Sequence, residues 1–394
     1  MTVKTTLPAG WRWAKLIDVC DIVMGQSPPG NTYTKTPEQG LPFFQGKADF
    51  GERYPVARTW CSAPSRIAKS GDILMSVRAP VGPTNIADVE CCIGRGLAAI
   101  RATPKIDAEF LVWILKFYEN DLAKKGSGST FQAINKLDLH SLEIPLPSLT
   151  EQQRIAARLN EQMTAVSQAR QAAEAQLRAA RELPPAYLNE IFGNSARGKW
   201  SWRKLGDVCE LLPANTIKST GDTVVTAITT ACLSENGFLA DGLKSAKMDA
   251  SDARRALVQK GEVLIARSNT PDLVGRVSMY LGEPQNICAS DLTIRIWAKP
   301  SLNPSFLTAY LSYLYLSGYW KEQAGGASGT MKKITRTQIL EIGVPVPDME
   351  SQKKIMSEMQ DKMDNFKQLQ QALEAQLAEI NQLPSALLRR AFNP

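Results

Sequence analysis

A single histidine, His140, serves a chain of 394 residues. Histidine is the usual general acid or base at neutral pH and a common metal ligand, so a histidine-built active site or metal cluster has almost no material here. His140 lies just before Pro145-Leu-Pro147 and is read as structural. The seven cysteines (Cys20, Cys61, Cys91, Cys92, Cys209, Cys232 and Cys288) are odd in number and contain no CxxC pair. This argues against a zinc site or disulfide framework and for buried thiols in a reducing compartment. Long apolar runs are missing too. The most apolar stretch, 306–320, is shorter than the ~20 residues a membrane-spanning helix needs, and the N-terminal eleven residues lack the apolar core of a signal peptide. The expectation is a cytoplasmic chain with no membrane contact.

Nucleotide chemistry is equally thin. Gly40 to Ala48 approaches a phosphate-binding loop but has one residue too many between its glycines, and Ala48 stands where a hydroxyl is needed. Asn303-Pro304-Ser305-Phe306 resembles the Asn-Pro-Pro-Tyr/Phe motif of amino-methyltransferases. Its repeat counterpart, however, reads Asp107-Ala-Glu-Phe110, so the shared feature is a helix N-cap followed by an anchoring phenylalanine. No glycine-rich strand-turn-helix offers a seat for S-adenosylmethionine. No catalytic residue, no metal ligand and no cofactor bound by this chain are therefore expected.

What is present is a repeat. At a shift of 200 residues, Pro145-Leu-Pro147 falls on Pro345-Val-Pro347, Gln152 on Gln352, Glu174-Ala-Gln-Leu177 on Glu374-Ala-Gln-Leu377, and Phe192 on Phe392. The segments ahead of these helices recur more loosely: Trp11 to Cys20 resembles Trp200 to Cys209, and Gly71-Asp-Ile-Leu74 resembles Gly261-Glu-Val-Leu264. Fixed helices with drifting loops imply a shared scaffold carrying individual functions. The expected segments are 1–147, a first variable domain; 148–194, a central helical region; 195–347, a second variable domain; and 348–394, a C-terminal helical region. Short apolar runs broken by Gly and Pro make the variable domains β-rich, with helices expected at Asp107 to Tyr118 and Asn303 to Tyr315. The class is α+β with a pseudo-twofold internal repeat.

Glu151 to Leu183 holds neither Gly nor Pro and reads as one long helix. In its counterpart Met359, Phe366, Leu373 and Ile380 stand seven apart, flanked by Ile355, Leu369 and Leu383, and the matching seam in the first helix is Leu159, Val166, Ala173 and Ala180. Large residues facing small ones predict an antiparallel coiled coil within the chain; a helix laid on a globular core, or a coiled coil between chains, are the alternatives. Each helix is expected to stop at proline, Pro184-Pro185 and Pro384. Short amphipathic pieces follow: Tyr187, Leu188, Ile191 and Phe192, then Leu387, Leu388 and Phe392. Either a partner protein or the neighbouring domain must cover them.

The run Pro145 to Ile155, the long helix to Leu183-Pro184 and the piece ending at Phe192 resemble the helical region of the DNA-specificity subunits of Type I restriction-modification systems. So do Gly10-Trp11 to Leu16 and Lys199-Trp200 to Leu205. Gly25-Gln-Ser-Pro28, Gly71 to Gly82 and Ile93-Gly-Arg-Gly96 resemble one class of target recognition domain. In the second copy Ser351-Gln-Lys-Lys354 replaces Glu151-Gln-Gln-Arg154, so a contact made by Glu151 has no equivalent there. The resemblance implies a non-catalytic subunit that binds double-stranded DNA at a bipartite site, one domain per half-site. It also implies two methyltransferase subunits that methylate adenine, with restriction subunits as further partners; S-adenosylmethionine, ATP and Mg would be bound by those partners. A stand-alone DNA-organising protein with a coiled-coil spacer and a diverged DNA methyltransferase are the competing classes.

The net charge of +7 (46 Lys and Arg against 39 Asp and Glu) is compatible with a polyanionic partner without requiring one. Bases are read by Arg, Lys, Asn and Gln, and phosphates by cations and hydroxyls. The candidates in the first domain are Gln26, Ser27, Asn31, Tyr33, Gln45, Lys47, Arg78 and Arg95; in the second they are Thr229, Thr230, Lys244, Lys247, Arg267 and Asn269. Two glycine-rich loops add Lys124, Lys125, Ser129 and Thr130, then Lys332 and Lys333, as phosphate clamps. A helix of 33 residues (151 to 183) would extend ~50 Å at ~1.5 Å per residue, or ~15 base pairs at ~3.4 Å each. Inserting four residues in the first helix, ~6 Å, is therefore expected to lengthen the tolerated spacer by about two base pairs; an unchanged spacer in the selected DNA would refute the ruler.

Overall fold

The computed structural model describes residues 7–125, 133–193, 198–213, 221–235, 237–328 and 330–392. Contacts divide the chain into two compact units: 1–174 with 375–394, and 175–374. Sequence segments and compact units therefore differ, because each long helix passes from one unit to the other along its length.

The two units repeat one topology. In the first, the strand Arg12–Lys15 pairs with Glu143–Leu146, and a four-stranded antiparallel sheet runs Cys20–Met24, Leu97–Ala102, Ile73–Ser76, Thr84–Ile86. In the second, Ser201–Lys204 pairs with Gly343–Val346 and the sheet runs Cys209–Leu211, Thr293–Ala298, Val263–Ala266, Val277–Met279. Each unit has a second sheet built around two parallel strands: Leu41–Phe44 beside Cys91–Ile93, and Thr223–Ile228 beside Ile287–Ala289. The helices expected from N-capping residues are Ala108–Phe117 and Pro304–Leu316. Asp107 Oδ1 accepts from the Phe110 N–H at 2.9 Å, and Asn303 Oδ1 accepts from Ser305 and Phe306 at 2.8 and 3.3 Å. The methyltransferase-like tetrapeptide is thus a helix start, with Phe306 fully buried.

The repeated glutamines fasten each long helix to its domain. Gln152 Oε1 accepts from the Asp107 N–H at 2.8 Å while its Nε2 donates to the Pro147 carbonyl at 3.0 Å. Gln352 does the same with Asn303 N (2.8 Å) and Pro347 O (2.8 Å), adding Ser301 O at 3.0 Å. Both side chains are almost fully buried, 1% and 0% exposed. A buried carboxamide that lost these partners would leave several polar groups unsatisfied at about 1–3 kcal/mol each.

The first long helix spans Leu149–Arg181 and restarts as Leu183–Phe192 with Pro184 in its first turn. The second, Met349–Phe392, runs through Pro384 without a break, so the expected stop there is corrected. One proline removes a single N–H bond and costs ~3 kcal/mol, which burial of the following turn offsets. The middle of the seam holds as expected, while Leu159 and Met359 at its ends pack on the domain cores. Leu159, Ala173, Ala180, Phe366, Leu373 and Ile380 are buried, with Val166 and Met359 half-buried. In the second unit Ala180 clusters with Phe366 and Leu373, and the Lys362 ammonium lies 3.1 Å from the Glu190 carboxylate and 4.9 Å from the Tyr187 ring centre. Rising numbers on one helix meet falling numbers on the other, so the pair is antiparallel. Leu369 and Leu383, the flanking row, stay 42% exposed.

The amphipathic ends pack on the chain's own domains, the second of the two alternatives, so Leu188, Phe192 and Phe392 are corrected from partner-binding to core residues. Leu188 and Phe192 are buried in the second domain's core, with Ile191 packed against it and Tyr187 held by Lys362. Phe392 is buried in the first domain's core, with Leu387 and Leu388 alongside, and its ring lies 5.5 Å from both Phe110 and Phe117. Burying these rings near the other aromatics is worth more than leaving an apolar tail in water. The C-terminal helix end thus completes the N-terminal domain. Phe392→Ala should cost ~3–5 kcal/mol and lower hydrogen-exchange protection in Ala108–Phe117, leaving Pro304–Leu316 protected; Phe192→Ala should do the reverse. Loss of protection in the second domain on Phe392→Ala would contradict this arrangement.

Candidate nucleic-acid interface

In the first domain the sequence candidates converge. Ser27, Gln45, Lys47, Arg78 and Arg95 line one cleft of about 300 Å³. An adjoining cleft of about 700 Å³ shares Gln45 and Lys47 and adds Tyr33, Lys35 and Arg58. The floor is the end of the parallel pair Leu41–Phe44 and Cys91–Ile93, after which the chain turns out as Gln45-Gly46-Lys47 and Gly94-Arg95-Gly96. These turns touch backbone to backbone: a Cβ on Gly96 would fall 2.2 Å from the Gln45 carbonyl oxygen. The Gly94 N–H donates to Phe44 O at 2.8 Å, the Val77 N–H to Gly96 O at 2.9 Å, and the Arg95 N–H to Ser27 Oγ at 3.3 Å. The loop bearing Arg95 is therefore held at both ends.

Electrostatics suit the same surface. Two cations outside the clefts are matched: Arg101 makes a two-pronged pair with buried Asp72 at 2.7 Å, and Arg53 pairs with Glu109. Lys35, Lys47, Arg58, Arg78 and Arg95 form no ion pair with any described residue, which leaves their charge available to an external anion. Lys35 Nζ instead donates to Arg58 O and Thr59 Oγ1 at 3.1 and 3.0 Å. Tyr33 is partly committed: its hydroxyl donates to Pro28 O at 2.9 Å and its ring stacks on Phe43 at 4.8 Å, so it shapes the loop. Gln26 and Asn31 are exposed on that loop without lining either cleft.

The second domain gathers fewer of its candidates. The hairpin strand Met331–Lys333 pairs with Ser268–Asn269, placing Lys332 opposite Asn269 and Lys333 opposite Ser268. Arg267 stands beside them, its Nη1 donating to the Asp291 carbonyl at 3.1 Å. Arg336, which belongs to no motif of the sequence, joins this basic group. It donates to the Leu211 and Leu212 carbonyls at 2.8 and 3.0 Å, and burial together with the charge of Arg267 holds its guanidinium below the usual range. Thr229 is used internally, donating to Gly242 O at 2.8 Å and capping the turn of Thr230 through Ala231 N. Lys244 and Lys247 are exposed on an edge strand, but three residues apart they point to opposite faces, so they cannot share one contact surface. In the first glycine-rich loop Lys124 is exposed and Lys125 closes the helix Glu119–Lys125, while Ser129 and Thr130 lie outside the described residues.

Reactive groups are scarce. All seven cysteines are buried and free, and burial lifts the thiols of Cys20, Cys91 and Cys209 to about 12. His140 ends the helix Lys136–His140. Among the described residues no cluster of His, Cys, Asp or Glu could hold a metal ion, and no helix is long and apolar enough to cross a membrane.

The family model for the type I restriction modification DNA specificity domain matches residues 8–173 and again 197–379. The chain belongs to this family. Its role is recognition of DNA sequence, and specificity subunits of this kind are not catalysts. The StySPI specificity subunit of Salmonella potsdam is 20% identical over 431 residues, covering 98% of this chain and 89% of that one. A protein of Methanocaldococcus jannaschii described as a type I restriction enzyme MjaX specificity subunit is 48% identical over 139 residues, 35% of this chain and 32% of that one. In fold, the chain matches the HsdS subunit from Thermoanaerobacter tengcongensis over 99% of its length, with TM-score 0.64 and 22% identity. It also matches a chain from a structure of complex assembly in the type I R-M system, with TM-score 0.77 and 98% coverage of both.

Lys332 and Lys333, without ion pairs to described residues, fit phosphate contacts. Lys332→Gln with Lys333→Gln should weaken cognate and non-cognate DNA equally and reduce the slope of log K against log salt by about two. Loss confined to cognate DNA would assign them to base reading instead.

Proposed function

We propose that this chain is the specificity subunit of a type I complex in which each variable domain binds one half of a bipartite double-stranded DNA site. The observation that carries the reading is the first domain's cleft, where unpaired cations surround Gln45 and Arg95 on loops fixed by backbone contact. Hydrogen-bonding side chains held on a rigid frame suit base edges, and unpaired cations around them suit phosphates. The second domain presents the equivalent surface with different residues, which suits a second, different half-sequence.

Reactivity then belongs to other polypeptides. Two methyltransferase subunits binding S-adenosylmethionine would methylate adenine within the half-sites, and restriction subunits using ATP and Mg would supply cleavage. Because the helix ends are buried in this chain's own cores, methyltransferase docking falls to other surfaces, such as the outer row of the long helices carrying Leu369 and Leu383. Seven unbridged thiols fit a cytoplasmic setting.

Purified chain should neither bind S-adenosylmethionine nor transfer methyl groups, and adding its cognate methyltransferase should yield a stable complex that methylates adenine. Methylation by the chain alone would establish a diverged methyltransferase. Tight sequence-selective binding with no methyltransferase association would establish a DNA-organising protein.

A further inference from the structure

Superimposing the two topologies strand by strand assigns equivalent positions in the reading surfaces. Phe44 pairs with Ile93 at the end of the first parallel pair, as Ile228 pairs with Ala289 in the second. The Val77 N–H donates to Gly96 O, as the Arg267 N–H donates to Leu292 O; Ile134 donates to Val77 O, as Ile334 donates to Arg267 O. Arg78 faces Ala133 across a bridge, as Ser268 faces Lys333. It follows that Gln45 corresponds to Thr229, Arg78 to Ser268, and Arg95 to Asp291. Two guanidiniums in one domain are thus replaced by a hydroxyl and a carboxylate in the other.

Resting on the bipartite reading above, we infer that Arg78 and Arg95 are the specificity-determining residues of the first half-site and that they read guanine. Three observations favour base edges over phosphates. Both arginines line the inner, 300 Å³ cleft with Gln45 and Ser27, uncharged groups suited to base edges, and with Lys47, whereas Lys35 and Arg58 belong to the outer cleft alone. The backbone at Arg95 is fixed by the Gly96 contact with Gln45 and by the Ser27 hydroxyl, so the side chain starts from a set point on the cleft wall. Neither guanidinium is paired to a described carboxylate, and a free planar fork matches the O6 and N7 acceptors that guanine shows in the major groove. The second domain, with Ser268 and Asp291 in these places, has no such fork there, and its carboxylate would repel those acceptors. The two half-sequences therefore differ, and the guanine belongs to the first.

The test is selection from a randomised duplex library by the full chain in complex with its methyltransferase, followed by sequencing of the bound fraction. Wild type should enrich two half-sequences across a fixed gap. Arg78→Ala and Arg95→Ala should each relax discrimination at a G·C pair of one half-site by ~5- to ~150-fold, with the other half-site unchanged. Arg95→Lys keeps the charge but not the fork, and should relax the same position. If Arg95→Lys retains full discrimination, or if the alanine variants weaken all sequences alike and flatten the salt dependence, the arginines bind phosphate and the inference fails. Relaxation at a pair other than G·C overturns it as well. Absence of any enriched half-sequence with wild type would instead bring down the bipartite reading itself.

Discussion

Burial of Phe192 and Phe392 governs how this chain is put together. Each ring closes the core of one domain: Phe392, at the far end of the chain, packs on Phe110 and Phe117, while Phe192, just ahead of the second domain, packs on Phe306 and Tyr310. An apolar core tolerates no gap of that size, so neither domain is complete without a helix end arriving from the other half of the repeat. Both long helices are held at their starts as well, by Gln152 and Gln352, whose carboxamides satisfy a helix N-cap residue and the Pro147 or Pro347 carbonyl together. Anchors of this kind, built from repeated residues, let the loops of each domain vary while its core stays closed.

The reading surfaces follow from that division of labour. Parallel strands end side by side, and the turns beyond them, held by a few backbone hydrogen bonds, carry Gln45, Lys47 and Arg95 onto the cleft surface. In the first domain this places uncompensated arginines beside a glutamine. In the second, basic residues gather at a hairpin edge, where Asn269 and Lys332 stand opposite each other. Matched cations such as Arg101 and Arg295 serve the scaffold: Arg295, buried at 2% exposure, is gripped by Glu262 and by the carbonyls of Arg255 and Leu257. The same residue type thus has two fates, decided by whether a carboxylate lies within reach.

Much of the frame was legible in the sequence because it rests on repetition and period. The shift of 200 residues marks the helices, heptad spacing marks the seam, and N-cap residues mark Ala108–Phe117 and Pro304–Leu316. Ser27, Gln45, Lys47, Arg78 and Arg95 are candidates by residue type alone; that they share one cleft is set by the topology. What stayed hidden depends on contacts far apart in sequence. Nothing local tells that Pro384 lies within a continuous helix or that Phe392 faces the first domain. Lys35, Arg58 and Arg336 carried no motif, and the buried Glu262–Arg295 pair reads in sequence as one charge in an apolar strand. Gln152 and Gln352 did carry a signal, their identity across the repeat, but identity alone does not reveal which backbone groups a carboxamide will satisfy.

The central claim is that two unlike readers in one chain define one divided target for a separate enzyme. Mapping every modified adenine in the DNA of cells that express this chain with its methyltransferase tests it most directly. The account predicts a single motif made of two different half-sequences separated by a constant, unspecified gap. An uninterrupted motif, a motif with identical halves, or modification that persists unchanged when this chain is removed would contradict it.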